Sequence, residues 1–184
     1  SVEGASNLPY ALPAIHVDLH SPKLPVPVLW WRSVGSTHTA YSTETFVDEL
    51  AAAAKQDPVE FRRGLLGKHP RHLAVLNAVA EKVGWDKPAP QGIYRGLAQH
   101  MGYGSYVAAA AEISVSGGNN IKVHRIVAAT DPGFAVNPAQ IDRQVAGSFV
   151  YGISALFYGE CTVKDGAIEQ TNFDTYNVLR MDEM

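Results

Sequence analysis

Residues 105–131 read SYVAAAAEISVSGGNNIKVHRIVAATD, and this stretch decides the fold class. Two apolar runs flank Gly117-Gly118-Asn119-Asn120, a run of residues suited to a tight turn, so a β-hairpin is predicted. Just upstream, IYRGLAQHM (93–101) supplies a third strand candidate, set off by the Pro-rich link KPAPQG at 87–92.

Upstream of that link the periodicity changes to helix. From Thr39 onward Phe46, Val47, Leu50 and Ala54 fall on one side. Glu44, Asp48 and Glu49 are placed near the helix start, where negative charge suits the dipole. Asp57-Pro58-Val59-Glu60 reads as an N-cap, a proline at the first helical position and a glutamate three residues after the cap. The helix it opens carries Phe61, Leu65 and Leu66. A third helix follows Pro70, with Leu73, Leu76, Val79, Ala80 and Val83 on one face and Gly84 as the stop. Farther upstream the chain is rich in proline, and residues 14–20 alternate Ile15, Val17 and Leu19 with His16, Asp18 and His20, the period of a half-buried strand.

Downstream of the hairpin, Asn137-Pro138 caps a helix of about 20 residues carrying Ile141, Val145, Phe149, Ile153 and Leu156. Gly147 and Gly152 lower its propensity, and close backbone packing is the expected reason. CTVKDGAIEQ then forms a last hairpin turning at Asp165-Gly166. The order of strand, helices, strands, helix and hairpin is that of an α+β fold: a mixed or antiparallel sheet, a small helical layer and one long helix.

The chain has 184 residues, 46% hydrophobic and 18% charged, with a net charge of -3. That size suits one domain, 1–184. The ends, Ser1 and NVLRMDEM, read as those of a piece of a larger polypeptide. The acidic balance gives no bulk attraction to nucleic acid or anionic lipid. No apolar run approaches the roughly 18 to 20 residues of a membrane span. The single cysteine, Cys161, excludes an internal disulfide and a cysteine-rich metal cage, and a small buried strand residue is expected there.

Seven histidines invite a metal site. His16 and His20 would stand about 13 Å apart along a strand, too far for shared ligation, and no metal ligand is assigned. Neither a phosphate-binding glycine loop nor a G-x-S-x-G elbow occurs, and Ser33 and Ser36 lack an identifiable base for a hydrolase. What remains is WWRSVGSTHT (30–39), where two tryptophans and an arginine feed a loop of small residues before a helix. Backbone N–H groups, the helix dipole and Arg32 could hold an anion there. The same residues also make an ordinary helix lead-in with Arg32 paired to a surface carboxylate, and both readings stand.

Taken in order, WRSVGSTHTAYSTETFVDELA, DPVEFRRGLL, RGLAQHMGYGSYVAAAAEISV, VHRIVAATDPGFAVNPAQIDRQVAGSFVYGISALFYGE and DGAIEQTNFDTYNVLRMDE resemble the large subunit of molybdenum hydroxylases. That is the xanthine dehydrogenase and aldehyde oxidase family, and its closest-looking branch is the isoquinoline 1-oxidoreductase beta subunit and related aldehyde dehydrogenases. The resemblance implies molybdopterin cytosine dinucleotide with molybdenum as cofactor and a fold that is part of a molybdenum-cofactor-binding domain. It also implies iron-sulfur clusters on a partner subunit, with the rest of the large subunit and a small-molecule substrate as further partners. Arg32, Ser33, Val34 and Gly35 match the family's R-G-x-G or R-A-x-G loop beside the metal, with Ser33 in place of the usual Gly or Ala.

Gln144 matches the glutamine of a Q-x-x-G segment and is expected to hold the long helix against the sheet. The family's catalytic glutamate motif, G-x-G-E, lies beyond residue 184, so no catalytic residue is assigned and the piece alone is expected to be inactive. The implied reaction hydroxylates an N-heterocycle or oxidises an aldehyde with oxygen from water. A free-standing α+β binding or assembly module without redox activity is the alternative. Cytoplasm and periplasm both stay open.

Overall fold

The computed structural model describes residues 2–26 and 28–183. The chain forms two compact units. The first joins the residues up to His20 to Trp30–Gly133, and the second joins Ser21–Leu29 to the residues from Phe134 onward.

The first unit begins with an irregular strap, residues 2–12, and holds helices α1 (Ser36–Ala53), α2 (Pro58–Leu65) and α3 (Pro70–Val83). Strands β1 (Tyr94–Gly102), β2 (Ser105–Ser116) and β3 (Asn120–Asp131) follow as an antiparallel meander in the order β1-β2-β3. The fold is α+β, with the helices as one layer on the sheet. Each predicted strand of the meander is present. Tyr103 and Gly104, both at positive φ, make the two-residue turn between β1 and β2, the geometry that matches strand twist.

The core lies between α3 and one face of the sheet. Leu66, Val75, Leu76, Val79, Ala80 and Val83 meet Leu97, Ala108 and Ala110, with Val59 and Val47 beside them. The alternation of β2 delivers Ala108 and Ala110 to that face, and Gly84 ends α3 in the left-handed conformation at φ 70°. Asp57 caps α2 as read from the sequence, its carboxylate accepting from Val59 N–H at 2.8 Å and Glu60 N–H at 3.1 Å. Asp57 also accepts from the Trp85 indole at 2.8 Å. Asp57→Ala should cost about 1 kcal/mol for the lost cap, read by urea unfolding; an unchanged midpoint would show that water serves as well.

At the exit of β3 Arg71 forks onto Asp131 (2.7 and 2.8 Å) and lies over the Tyr106 ring, 4.2 Å from its centre. Arg71, helped by the Gly133 N–H, holds the Asp131 carboxyl down at about 2.

Four expectations from the sequence are corrected. Residues 14–20 form no strand, and Ile15, Val17 and Leu19 are exposed; alternation makes a strand only where a neighbour takes up the backbone bonds. Helix α1 starts at Ser36, three residues earlier than the periodicity predicts, and buries Ser36, Thr39, Glu44, Val47 and Ala51, while Phe46 faces solvent. Cys161 is exposed and precedes a strand. A Cβ built on Gly147 or Gly152 meets nothing within 4 Å, so no close approach explains these glycines.

The second unit holds α4 (Pro138–Tyr158), the hairpin β4 (Val163–Lys164) and β5 (Ala167–Ile168), and a short 3₁₀ turn at Met181–Glu183. Asn137 caps α4, its side chain accepting from Gln140 N–H at 3.2 Å. Asp165 and Gly166 turn the hairpin with positive φ at both. None of the residues of α4 is buried, Gln144 being exposed among them. Ser154 ties the helix to the end of the chain by accepting from Leu179 N–H at 3.0 Å. No helix among the described residues is long and apolar enough to cross a membrane.

Candidate cofactor-binding loop

Residues 32–35 form a tight turn that runs straight into α1. Ser33 and Val34 both take left-handed backbone angles, φ 70° and 47°. For non-glycine residues this costs roughly 1–3 kcal/mol each, more readily for a β-branched valine, and persists only when neighbours over-determine it. Several bonds do so. Val34 N–H donates to Trp31 O at 2.9 Å and Ser36 N–H to Ser33 O at 3.0 Å, while the Thr37 hydroxyl donates to Arg32 O. Gly35 is helical at φ -66° and is the N-cap residue of α1.

Arg32 and Ser33 are exposed at the tip of this turn. The tryptophans before them do not anchor it in the core, Trp30 being 84% and Trp31 48% exposed. The strap holds the turn from beneath. The Glu3 carboxylate accepts from Gly35 N–H at 2.9 Å, and Glu3 O accepts from the Thr39 hydroxyl at 2.6 Å. Gly4 lies so close that a Cβ on it would fall 2.4 Å from the Thr39 hydroxyl.

Below the strap runs a buried polar chain that the sequence pattern does not reveal. The Tyr10 hydroxyl donates to Glu44 Oε1 at 2.5 Å and accepts from Gln99 Nε2 at 2.8 Å. Gln99 Oε1 accepts from Nδ1 of His72, which fixes the proton on that nitrogen. Glu44 Oε2 accepts from Gln99 N–H at 2.9 Å and from Arg62 Nε at 3.0 Å. Arg62 also reaches Asp48 at 2.6 Å, Pro58 O and Glu44 O. Arg62 is 0% and Glu44 5% exposed. Burial works against the Arg62 charge, but the field of Glu44 and the bond to Asp48 outweigh it and raise the guanidinium above its ordinary value. Burial first, then Glu44, pushes the Tyr10 phenol up. The available signal was helical phase: Glu44 lies three residues before Val47 and seven before Ala51, on the apolar stripe.

Beside this chain Asn7, Thr43, His72 and His100 line a small cleft with room for about one water. His100 Nε2 is shut from solvent with no hydrogen-bond partner among the described residues. Burial lowers the pKa of His72, against the bond to Gln99 and with help from His69 and His100. Burial also lowers that of His100, outweighing the Glu3 carboxylate. The unfolded chain therefore takes up protons at a higher pH than the folded one. The stability these histidines contribute is complete above the ordinary histidine value of about 6.5 and is lost as pH falls below it toward the folded values. The melting temperature should drop between about pH 7 and pH 5; a flat profile over that window would mean both rings are solvated.

Among the described residues no three His, Cys, Asp or Glu side chains converge on a point where a metal ion could sit. The turn carries an exposed arginine and an exposed serine, and the Gly35 N–H at the start of α1 already donates to the Glu3 carboxylate. That donor set fits an anionic, oxygen-rich group.

The sequence model of the molybdopterin cofactor-binding domain matches residues 35–184, from the last residue of the turn onward. The chain belongs to this family. It is similar to the beta subunit of isoquinoline 1-oxidoreductase from Brevundimonas diminuta, 30% identical over 179 residues, covering 95% of this chain and 23% of that protein. It is also similar to the membrane-bound aldehyde dehydrogenase (pyrroloquinoline-quinone) of Gluconacetobacter polyoxogenes, 28% identical over 172 residues, 83% of this chain and 22% of that one. A subunit of the nicotinate dehydrogenase of Pseudomonas putida is 26% identical over 194 residues, 96% of this chain and 16% of that one. The chain thus spans less than a quarter of the length of each of these relatives. The residues matched to the molybdopterin cofactor-binding domain family take in α1 to α4 and the meander.

Proposed function

We propose that this chain is part of the molybdopterin-binding subunit of an oxidoreductase that hydroxylates an N-heterocycle or oxidises an aldehyde with oxygen from water. The observation that carries the reading is the strained turn of residues 32–35, whose exposed Arg32 stands three residues before the family-matched segment begins at Gly35. Names of the relatives support the substrate classes, an isoquinoline, a nicotinate and an aldehyde. The cofactor is molybdopterin cytosine dinucleotide; when bound, it supplies the two-electron redox centre.

In this reading Arg32 pairs with anionic oxygens of the cofactor through its planar donor fork, and Ser33 adds a hydroxyl. Val34 and Gly35 shape the turn, because their N–H groups already donate within the chain. Electrons leave to iron-sulfur clusters on a small partner subunit, and the rest of the large subunit completes the site. Residues 1–184 are then part of that large subunit, inactive on their own.

The test uses the full-length protein co-purified with its small subunit. Metal analysis should find molybdenum, acid hydrolysis should release a cytidine nucleotide, and isoquinoline, nicotinate and aldehydes should be screened with an artificial electron acceptor. A preparation that folds, lacks molybdenum and oxidises none of these would sink the proposal.

A further inference from the structure

We propose that Glu3 is a positioning residue for the cofactor loop. Its carboxylate is taken up by the Gly35 N–H, and so holds the Ser33-Val34 turn in the shape that presents Arg32. This rests on the reading of residues 32–35 as the loop that meets the cofactor.

Three observations carry it. The first is reach: Glu3 is bonded to a residue 32 positions away, at the point where the turn becomes helix. The bonds from Val34 to Trp31 and from Ser36 to Ser33 are local, joining residues three apart. A charged acceptor on Gly35 N–H fixes where the helix begins, and with it the two left-handed residues before it.

The second is the fit of the strap on α1. Glu3 O also accepts from the Thr39 hydroxyl, one helical turn on, so Glu3 grips α1 at two points. Gly4 is buried at φ 84°, and any side chain there would strike Thr39. At the far end of the strap Tyr10 is buried on Glu44, and Ala11 N–H donates to Leu65 O at 2.9 Å. The strap is therefore set in register, and Glu3 arrives at Gly35 by construction.

The third is charge. Glu3 already supplies an anionic oxygen to the start of α1, where the unsatisfied N–H groups and the dipole favour one. An incoming cofactor would then be held by Arg32 at the tip and not by the Gly35 amide. Glu3 thus occupies the Gly35 amide, one of the two candidate anion holders of this loop.

The experiment compares wild type, Glu3→Ala, Glu3→Gln and, as a control on the loop reading, Arg32→Ala, each in the full-length protein with its small subunit. Hydrogen exchange of the backbone is followed by mass spectrometry in peptides covering residues 33–37 and 58–83, and molybdenum is measured in the same samples. In Glu3→Ala, exchange over 33–37 should rise about tenfold and molybdenum should fall about tenfold, the size of one charge-assisted hydrogen bond, with 58–83 unchanged.

Glu3→Gln keeps the side-chain volume and one acceptor oxygen, so it should fall between. Should Glu3→Ala loosen 58–83 as well, Glu3→Gln decides. Unchanged exchange over 33–37 overturns the proposal. So does faster exchange with full molybdenum in a series where Arg32→Ala has lost it, and the cofactor loop then stands without Glu3. Full molybdenum in Arg32→Ala overturns both readings.

Discussion

Arg62→Met should lower the unfolding free energy by about 3–5 kcal/mol, the range for removing one partner of a buried ion pair. Arg62 is fully enclosed and donates to Glu44, Asp48 and two backbone carbonyls. Methionine fills much of the volume but leaves the Glu44 carboxylate in the interior with, among the described residues, the Tyr10 hydroxyl and Gln99 N–H donating to it. Glu44→Gln should cost less. The amide keeps an acceptor for one of these donors, and Arg62 keeps Asp48, whose side chain is 42% exposed and reaches solvent. Urea unfolding of the two variants and their double mutant checks this. If Arg62→Met and Glu44→Gln cost the same, or either costs under about 1 kcal/mol, water reaches the pair and the burial argument fails.

The pair also shows where the sequence is legible and where it is not. Asp57-Pro58 and Asn137-Pro138 can be read because a cap is a local device: the side chain bonds an N–H two or three residues on, whatever the rest of the fold does. The turns at residues 117–119 and at Asp165-Gly166 are legible for the same reason, since positive φ is a property of the turn itself. Glu44 passes for a charge suited to the helix start because its role depends on α2 and β1 arriving beside it, and nothing within a few residues announces Arg62 or Gln99. Residues 14–20 mislead in the opposite sense, a good local alternation with no neighbouring strand to pair with.

The candidate loop combines the two cases. That 32–35 is a polar turn before a helix can be read directly, and family resemblance gives Arg32 its expected role. That Glu3 grips Gly35 cannot, because the strap and the turn are 32 residues apart and the contact exists only once Tyr10 is seated in the core. The left-handed angles of Ser33 and Val34 are equally hidden, neither residue type favouring them. This bears on Ser33 itself. A glycine there would adopt φ 70° without strain, so the serine keeps the turn at a conformational cost that the surrounding bonds must offset.

Arg32→Ala in the full-length protein should lower molybdenum content about tenfold or more while moving the unfolding free energy by no more than about 0.5 kcal/mol. The two effects separate because Arg32 is exposed at the tip of the turn, and the backbone, Thr37 and Glu3 supply bonds that hold the turn and stay in place in the variant. Arg32→Lys distinguishes charge from geometry. Lysine keeps the positive charge but loses the planar fork that engages two oxygens at once, so it should retain only part of the metal. Equal retention in Arg32→Lys and wild type would mean that the loop contributes a point charge alone. Wild-type metal content together with wild-type turnover in Arg32→Ala would remove the cofactor role from this loop, and the strain at Ser33 and Val34 would then need another explanation.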